Sequence, residues 1–335
     1  MMNTKKSMRI PWGDLVPVIA FVIVFLFFEI SSKGKMLSGY NLQMLLEQSM
    51  QVIVLGCGVL FVVAQGSIDL SVGVNLAVSG ILGDYVANVT GQPWLLFPVT
   101  ILVGAVIGCF NGFIVAKCHV SSFMMSIAML IGMRGIANFL LTQLDSNAVQ
   151  FLPSSLLIID KAFIKIPAFI IVCLIAAYVF EFTSVGRYSK AIGENELVTR
   201  HVGLPVTRIK WLAFIISGTY AGIGALFSLA TIGGTSMQMG SFMEMKTAMA
   251  IFFGGVLVTG GSTAKFYKVI LGALTITIII NGLALIGLSE SNYSETIEGV
   301  LLLVILLITI LVNKMGRNKH GKDDDAAPKA EGTQQ

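Results

Sequence analysis

Charge is what this 335-residue chain has least of: Asp, Glu, Lys and Arg make up 12% of it, roughly half their share of an average soluble domain. That excludes a large water-exposed catalytic surface. The net charge of +4 arises from 22 basic against 18 acidic residues, too even a balance for a protein that grips nucleic-acid phosphates. The three histidines, His119, His201 and His320, are too widely spaced to gather a metal cluster, so neither a metal nor another cofactor is expected. The four cysteines (Cys57, Cys109, Cys118, Cys173) lie singly in apolar stretches without a C-x-x-C pair, which speaks against a disulfide framework or a zinc site. Phosphate-loop, zinc-helix and nucleophile-elbow motifs are missing as well. No catalytic residue is assigned, and a membrane-embedded enzyme is disfavoured.

What the chain has in abundance is apolar length. Apolar residues make up 55% of it and its mean hydropathy is +0.85; at about 20 residues per crossing this fills roughly ten spans. Candidate spans lie near 15–30, 44–64, 71–88, 94–116, 122–141, 166–181, 211–230, 242–259, 268–288 and 296–313. The fold class is therefore an all-α integral membrane protein. Spans three and eight are diluted, one by Gly73, Gly80, Gly83 and Asp84, the other by Glu244 and Lys246, and either could be broken or re-entrant. Lys5, Lys6 and Arg9 precede span one without a cleavage site after it, so that span is read as a retained helix.

Placing the N-terminus inside puts sixteen of the 22 Lys and Arg residues in inner segments and four (Lys33, Lys35, Lys161, Lys165) in outer ones. The positive-inside rule favours that orientation, with both termini cytoplasmic. The resulting organisation is a cytoplasmic N-terminus (1–14), a transmembrane region (15–313) with a cytoplasmic loop at 182–210, and a cytoplasmic polar tail (314–335) whose composition reads as disordered. Gly104-Ala105 and Asn111-Gly112 in span four recur as Gly272-Ala273 and Asn281-Gly282 in span nine. An offset of five spans inverts the topology, as in transporters built from two inverted five-helix repeats.

Few polar residues remain inside the membrane. Glu47, Arg134, Glu244 and Lys246 fall near span ends, where side chains can snorkel to the headgroups. Asp69 lies between spans and could cap a helix beginning at Leu70. Asn75, Asn111 and Asn281 could line a polar path or bond neighbouring helices. Asp69, Asn75, Asn111, Arg134 and Asn281 are the substrate-pathway candidates. No chain of Asp, Glu or His forms a proton relay, so an ion-coupled carrier is disfavoured.

The inner loop carries a complete short-helix signal: Asn195 as N-cap, Glu196 in the first turn, Arg200 and His201 in the last, and Gly203 as terminator. So short a helix is marginal alone, which points either to docking on a partner or to a connector lying on the membrane surface.

Gly66-Ser-Ile-Asp-Leu-Ser-Val-Gly73, Gly108-Cys-Phe-Asn-Gly-Phe-Ile-Val-Ala116, Met133-Arg-Gly135, Gly186-Arg187, Ala191-Ile-Gly-Glu-Asn195 and Gly203 occur in an order and spacing that resemble the permease subunit of bacterial ABC importers of the ribose and simple-sugar type. The resemblance covers about residues 40–313. It implies a second permease subunit (the same chain or a related one), two cytoplasmic ATPase domains, an extracytoplasmic sugar-binding protein and a small sugar as cargo. It also implies that Gly193, Asn195, Arg200 and Gly203 shape the contact with the ATPase. A nucleoside or another small polar solute is the alternative cargo.

Overall fold

The computed structural model describes residues 12–144 and 151–287 and, further on, the isolated helical positions 296, 299, 300, 303 and 307. Its helices are α1 (Trp12–Ser31), α2 (Gly39–Ala64), α3 (Val72–Thr90), α4 (Leu96–Lys117), α5 (Ser122–Gln143), α6 (Ala162–Phe182), α7 (Ser184–Glu194), α8 (Glu196–His201), α9 (Val206–Ile232), α10 (Met243–Phe253) and α11 (Phe266–Leu285). Short 3-10 turns occupy Pro93–Leu95, Ser154–Asp160 and Gly261–Thr263. No strand occurs among the described residues. Among the described residues seven helices are long and apolar enough to cross a bilayer, and α1 adds a shorter apolar stretch, Pro17–Ser31. The protein is thus an all-helical, multi-pass membrane protein. The tenth expected span, apart from those isolated positions, and the tail fall outside the described residues, as do residues 1–11; α1 begins at Trp12.

The core forms where α2, α4 and α9 meet. Between α4 and α9 the contact is made by small residues: a Cβ on Gly104 or Gly108 would collide with the backbone of Gly218 and Phe214, and one on Gly222 with that of Thr100. Removing those side chains lets the helices approach to backbone contact, the small-xxx-small device of membrane helices, where dispersion and not the hydrophobic effect drives association. Trp211 Nε1 donates to the Cys109 carbonyl at 2.9 Å and locks the same pair. The central helix α2 is almost wholly buried from Met50 to Ala64, and Phe61 meets Phe180 of α6 edge-on at 5.0 Å. By contrast α5 and α6 bury few residues, so their apolar faces are free for lipid or another subunit. Cys57 and Cys173, far apart in sequence, meet across α2 and α6 as free thiols.

Two crossings differ in kind. Span three is an unbroken helix of 19 residues, about 28 Å at 1.5 Å per residue. Span eight, near 242–259, is broken, one of the two outcomes its Glu244 and Lys246 left open: α10 has 11 residues, about half the hydrocarbon thickness. The chain nevertheless crosses between Gly233 and Gly261. Gly233 accepts from Leu152 N on one side, while Gly261 sits against Gly193 and Glu194 on the other. Gly254 and Gly255 end α10, the latter at φ +77°, and Gly254 lies directly on the Lys268 carbonyl of α11, where a Cβ would collide. In the packing, α4 lies against α3 and α9, and α11 against α10, α1 and α2.

Candidate functional site

The inner loop is more structured than its capping signal alone suggests. Before the short helix comes α7, an 11-residue amphipathic helix whose Ile192 packs with Val206 and Ile209. Four further attachments hold it. Lys190 Nζ donates to Glu181 Oε2 at 2.6 Å, and Glu181 Oε1 accepts from Phe266 N at 2.9 Å, so one carboxylate joins α6, α7 and the start of α11. Gln65 Nε2 donates to Ser189 Oγ at 2.9 Å and to the Ile209 carbonyl at 3.2 Å. Glu194 Oε1 accepts from Ser262 N at 2.7 Å and Ser262 Oγ at 2.5 Å. Finally Gly193 presses against the Ala64 carbonyl and Gly261 N, leaving no room for a Cβ. The hydrogen bonds from Ser262 hold the Glu194 carboxyl below its ordinary pKa despite some burial.

The short helix α8 then projects from this platform. Asn195 Oδ1 accepts from Val198 N at 3.0 Å, and Gly203 closes the helix at φ +84° with its N–H on the Arg200 carbonyl at 3.0 Å, a left-handed position that suits glycine. Glu196 is bound by Lys210 at 2.6 Å and Arg200 at 3.1 Å. Burial alone would raise its carboxyl pKa, yet the two cations hold it low. Leu197, Val198 and Val202 are 65%, 55% and 73% exposed. An apolar, polar-flanked tip on a capped helix is a surface shaped for another protein.

The four expected coupling residues therefore share one loop but act differently. Gly193 faces inward as a packing contact, Asn195 and Gly203 fix the two ends of α8, and Arg200 pairs within the helix. The capping motif could not reveal Glu181, Glu194 or Ser262, whose partners lie up to 85 positions away. The exposed apolar residues could have been found, since Leu197, Val198 and Val202 lack the buried neighbours that an apolar helix face normally acquires.

The five pathway candidates do not converge. Asp69 does not cap a helix at Leu70. Instead α3 starts at Val72, and Asp69 Oδ1 accepts from Ser71 N and Oγ at 3.0 and 2.6 Å while its Oδ2 accepts from Ser217 Oγ at 2.7 Å. Asn111 Nδ2 donates to Ser71 Oγ at 2.8 Å, so Asp69 and Asn111 join one buried network between α4, α9 and the 65–71 segment. Asn75 bonds the Gly104 carbonyl and Ser79. These three residues tie helices together. Asn281 is buried on α11, apart from them. Arg134 stands near the middle of α5 and not at its end, and its Nη1 donates inward to the Met239 carbonyl at 2.9 Å, so it does not snorkel. Nor does Glu244, which is buried against Gly73.

Residues 41–309 match the protein family described as branched-chain amino acid transport system / permease component. The chain is 29% identical to the ribose import permease protein RbsC of Escherichia coli K12 over 276 residues, 80% of this chain and 85% of that one. It is also 29% identical to RbsC of Haemophilus influenzae over 287 residues (83% and 87%). It is 26% identical to the fructose import permease protein FruG of Bifidobacterium longum over 332 residues (94% and 96%).

Proposed function

The chain belongs to the branched-chain amino acid transport system / permease component family, and on that premise we propose that it is the membrane-spanning subunit of an ATP-driven importer for a monosaccharide such as ribose. A permease component of this kind is not itself an enzyme. ATP is hydrolysed by a separate pair of cytoplasmic ATPase domains, and an external binding protein delivers the sugar. Two permease subunits, identical or related, enclose the pathway, and both termini face the cytoplasm.

The observation that carries this reading is the α7–α8 platform. The short helix α8, capped at both ends and with Leu197, Val198 and Val202 exposed, projects from α7, which is bound through Glu194 to the turn that ends the broken span. The same α7 is bound through Glu181 to the start of α11 and through Gln65 to the end of α2. A partner that pushes on α8 therefore moves three membrane segments together, as switching by rigid elements requires. Sugar as cargo is supported by the names of the ribose and fructose permeases that the chain resembles over most of its length.

Reconstitution tests the reading. Proteoliposomes holding the permease, its ATPase and the binding protein are expected to accumulate radiolabelled ribose only with ATP on the ATPase side. Uptake without ATP that collapses with a sodium or proton ionophore would replace this reading with an ion-coupled carrier.

A further inference from the structure

The broken span leaves a cavity of about 330 Å³ between α2, α10 and α11, lined also by Thr231 near the end of α9. Its position is set by the break. Because α10 begins only at Met243, the residues that would continue it upward are replaced by the irregular 233–242 segment, and the space beside α2 stays open. Sites in membrane transporters recur beside such discontinuous helices.

The lining is mixed in a specific way. Glu47, Gln48 and Gln51 enter from α2, Lys246 from α10 and Thr277 from α11. Gln48 and Gln51 make no hydrogen bond to any described residue, whereas the neighbouring polar groups are largely engaged. Glu47 Oε1 accepts from Gln43 at 3.0 Å, Thr231 Oγ1 accepts from Lys165 at 2.8 Å, and Thr277 gives its proton to the Ala273 carbonyl at 2.8 Å, which leaves its oxygen able only to accept. Two carboxamides that both donate and accept, at neighbouring turns of one helix, match the hydroxyl groups of a polyol. The opposite charges of Glu47 and Lys246 in one cavity disfavour a cargo of either sign. Val52, Ile276 and Ile280 supply apolar wall for the C–H face of a sugar ring. The volume lies at the lower edge of the roughly 300–1,000 Å³ of small-molecule sites, which suits a single ring.

We infer that this cavity is a contact site for a neutral polyhydroxylated solute of monosaccharide size on the wall that one subunit contributes to the pathway, with Gln48 and Gln51 as the residues that recognise hydroxyl groups. The inference rests on the sugar-importer reading above and names a site for that cargo.

The test uses the complete complex in proteoliposomes, with radiolabelled ribose on its binding protein as the probe. Gln51→Leu keeps the side chain's bulk and removes its hydrogen bonds, so uptake is expected to fall about tenfold, the worth of roughly one good hydrogen bond. The ratio of ribose moved to ATP hydrolysed should fall with it, and Gln51→Asn should recover part of the uptake. Wild-type uptake in both Gln51→Leu and Gln48→Leu would overturn the cavity while leaving the importer reading intact. Wild-type complex that hydrolyses ATP but moves no ribose would overturn both. If Gln51→Leu fails to insert, Gln48→Leu decides by the same criterion.

Discussion

Glu194 and Ser262 are joined twice: one carboxylate oxygen of Glu194 accepts both the backbone N–H and the hydroxyl of Ser262, at 2.7 and 2.5 Å. This pair fastens the inner loop to the turn at which the broken span leaves the membrane. It makes the loop part of the transport domain instead of a loose connector.

The pair has a pH signature. Hydrogen bonds from Ser262 lower the Glu194 pKa, so the link is at full strength above the ordinary carboxylate range and is lost as pH falls through the depressed value. The ratio of sugar moved to ATP hydrolysed should therefore stay flat from neutral pH down to about pH 5. Glu194→Gln keeps an acceptor but loses the charge, and is expected to lower that ratio at neutral pH. A Glu194→Gln ratio equal to wild type across the titration would show that the charge at this position does not matter.

The exposed tip of α8 should carry assembly. Val202→Asp places a charge on a 73% exposed apolar residue, so insertion and stability are expected to stay near wild type, within about 0.5 kcal/mol. Co-purification with the ATPase should drop sharply. Gly203→Val acts differently: with φ at +84° it strains the end of α8 by about 1 kcal/mol, and should weaken coupling more than assembly. Pull-down combined with binding-protein-stimulated ATPase assays separates the two effects.

The buried network around Asp69 should be structural. Asp69→Ala leaves the hydroxyls of Ser71 and Ser217 without their acceptor, a loss of about 1–3 kcal/mol. Thermal unfolding in detergent should show a lower Tm, and Ser217→Ala on top of it should add less than it does alone, because the partners are shared. Strict additivity would mean that the two residues do not act together.

Orientation can be read with cysteine labelling. Asn195→Cys should be silent to an impermeant thiol reagent applied outside intact cells, and Gln92→Cys, in the exposed turn between α3 and α4, should react. The reverse pattern would invert the proposed topology.

Composition and spacing were enough for the membrane class, most span positions and the capped helix at 196–201. These depend on local quantities: the transfer cost of a residue, the length of an apolar run, and the side chain at an N-cap. Folding decided the rest, because it depends on what each residue meets. Gly104 and Gly218 could not be known as partners until α4 and α9 were laid together. Arg134 reads as a headgroup residue until Met239 is brought under it by a segment 105 positions away. Glu244 and Lys246 already marked span eight as one that could be broken, but where it breaks was set by folding: α10 starts only at Met243, after an irregular segment that leaves the cavity beside α2 open.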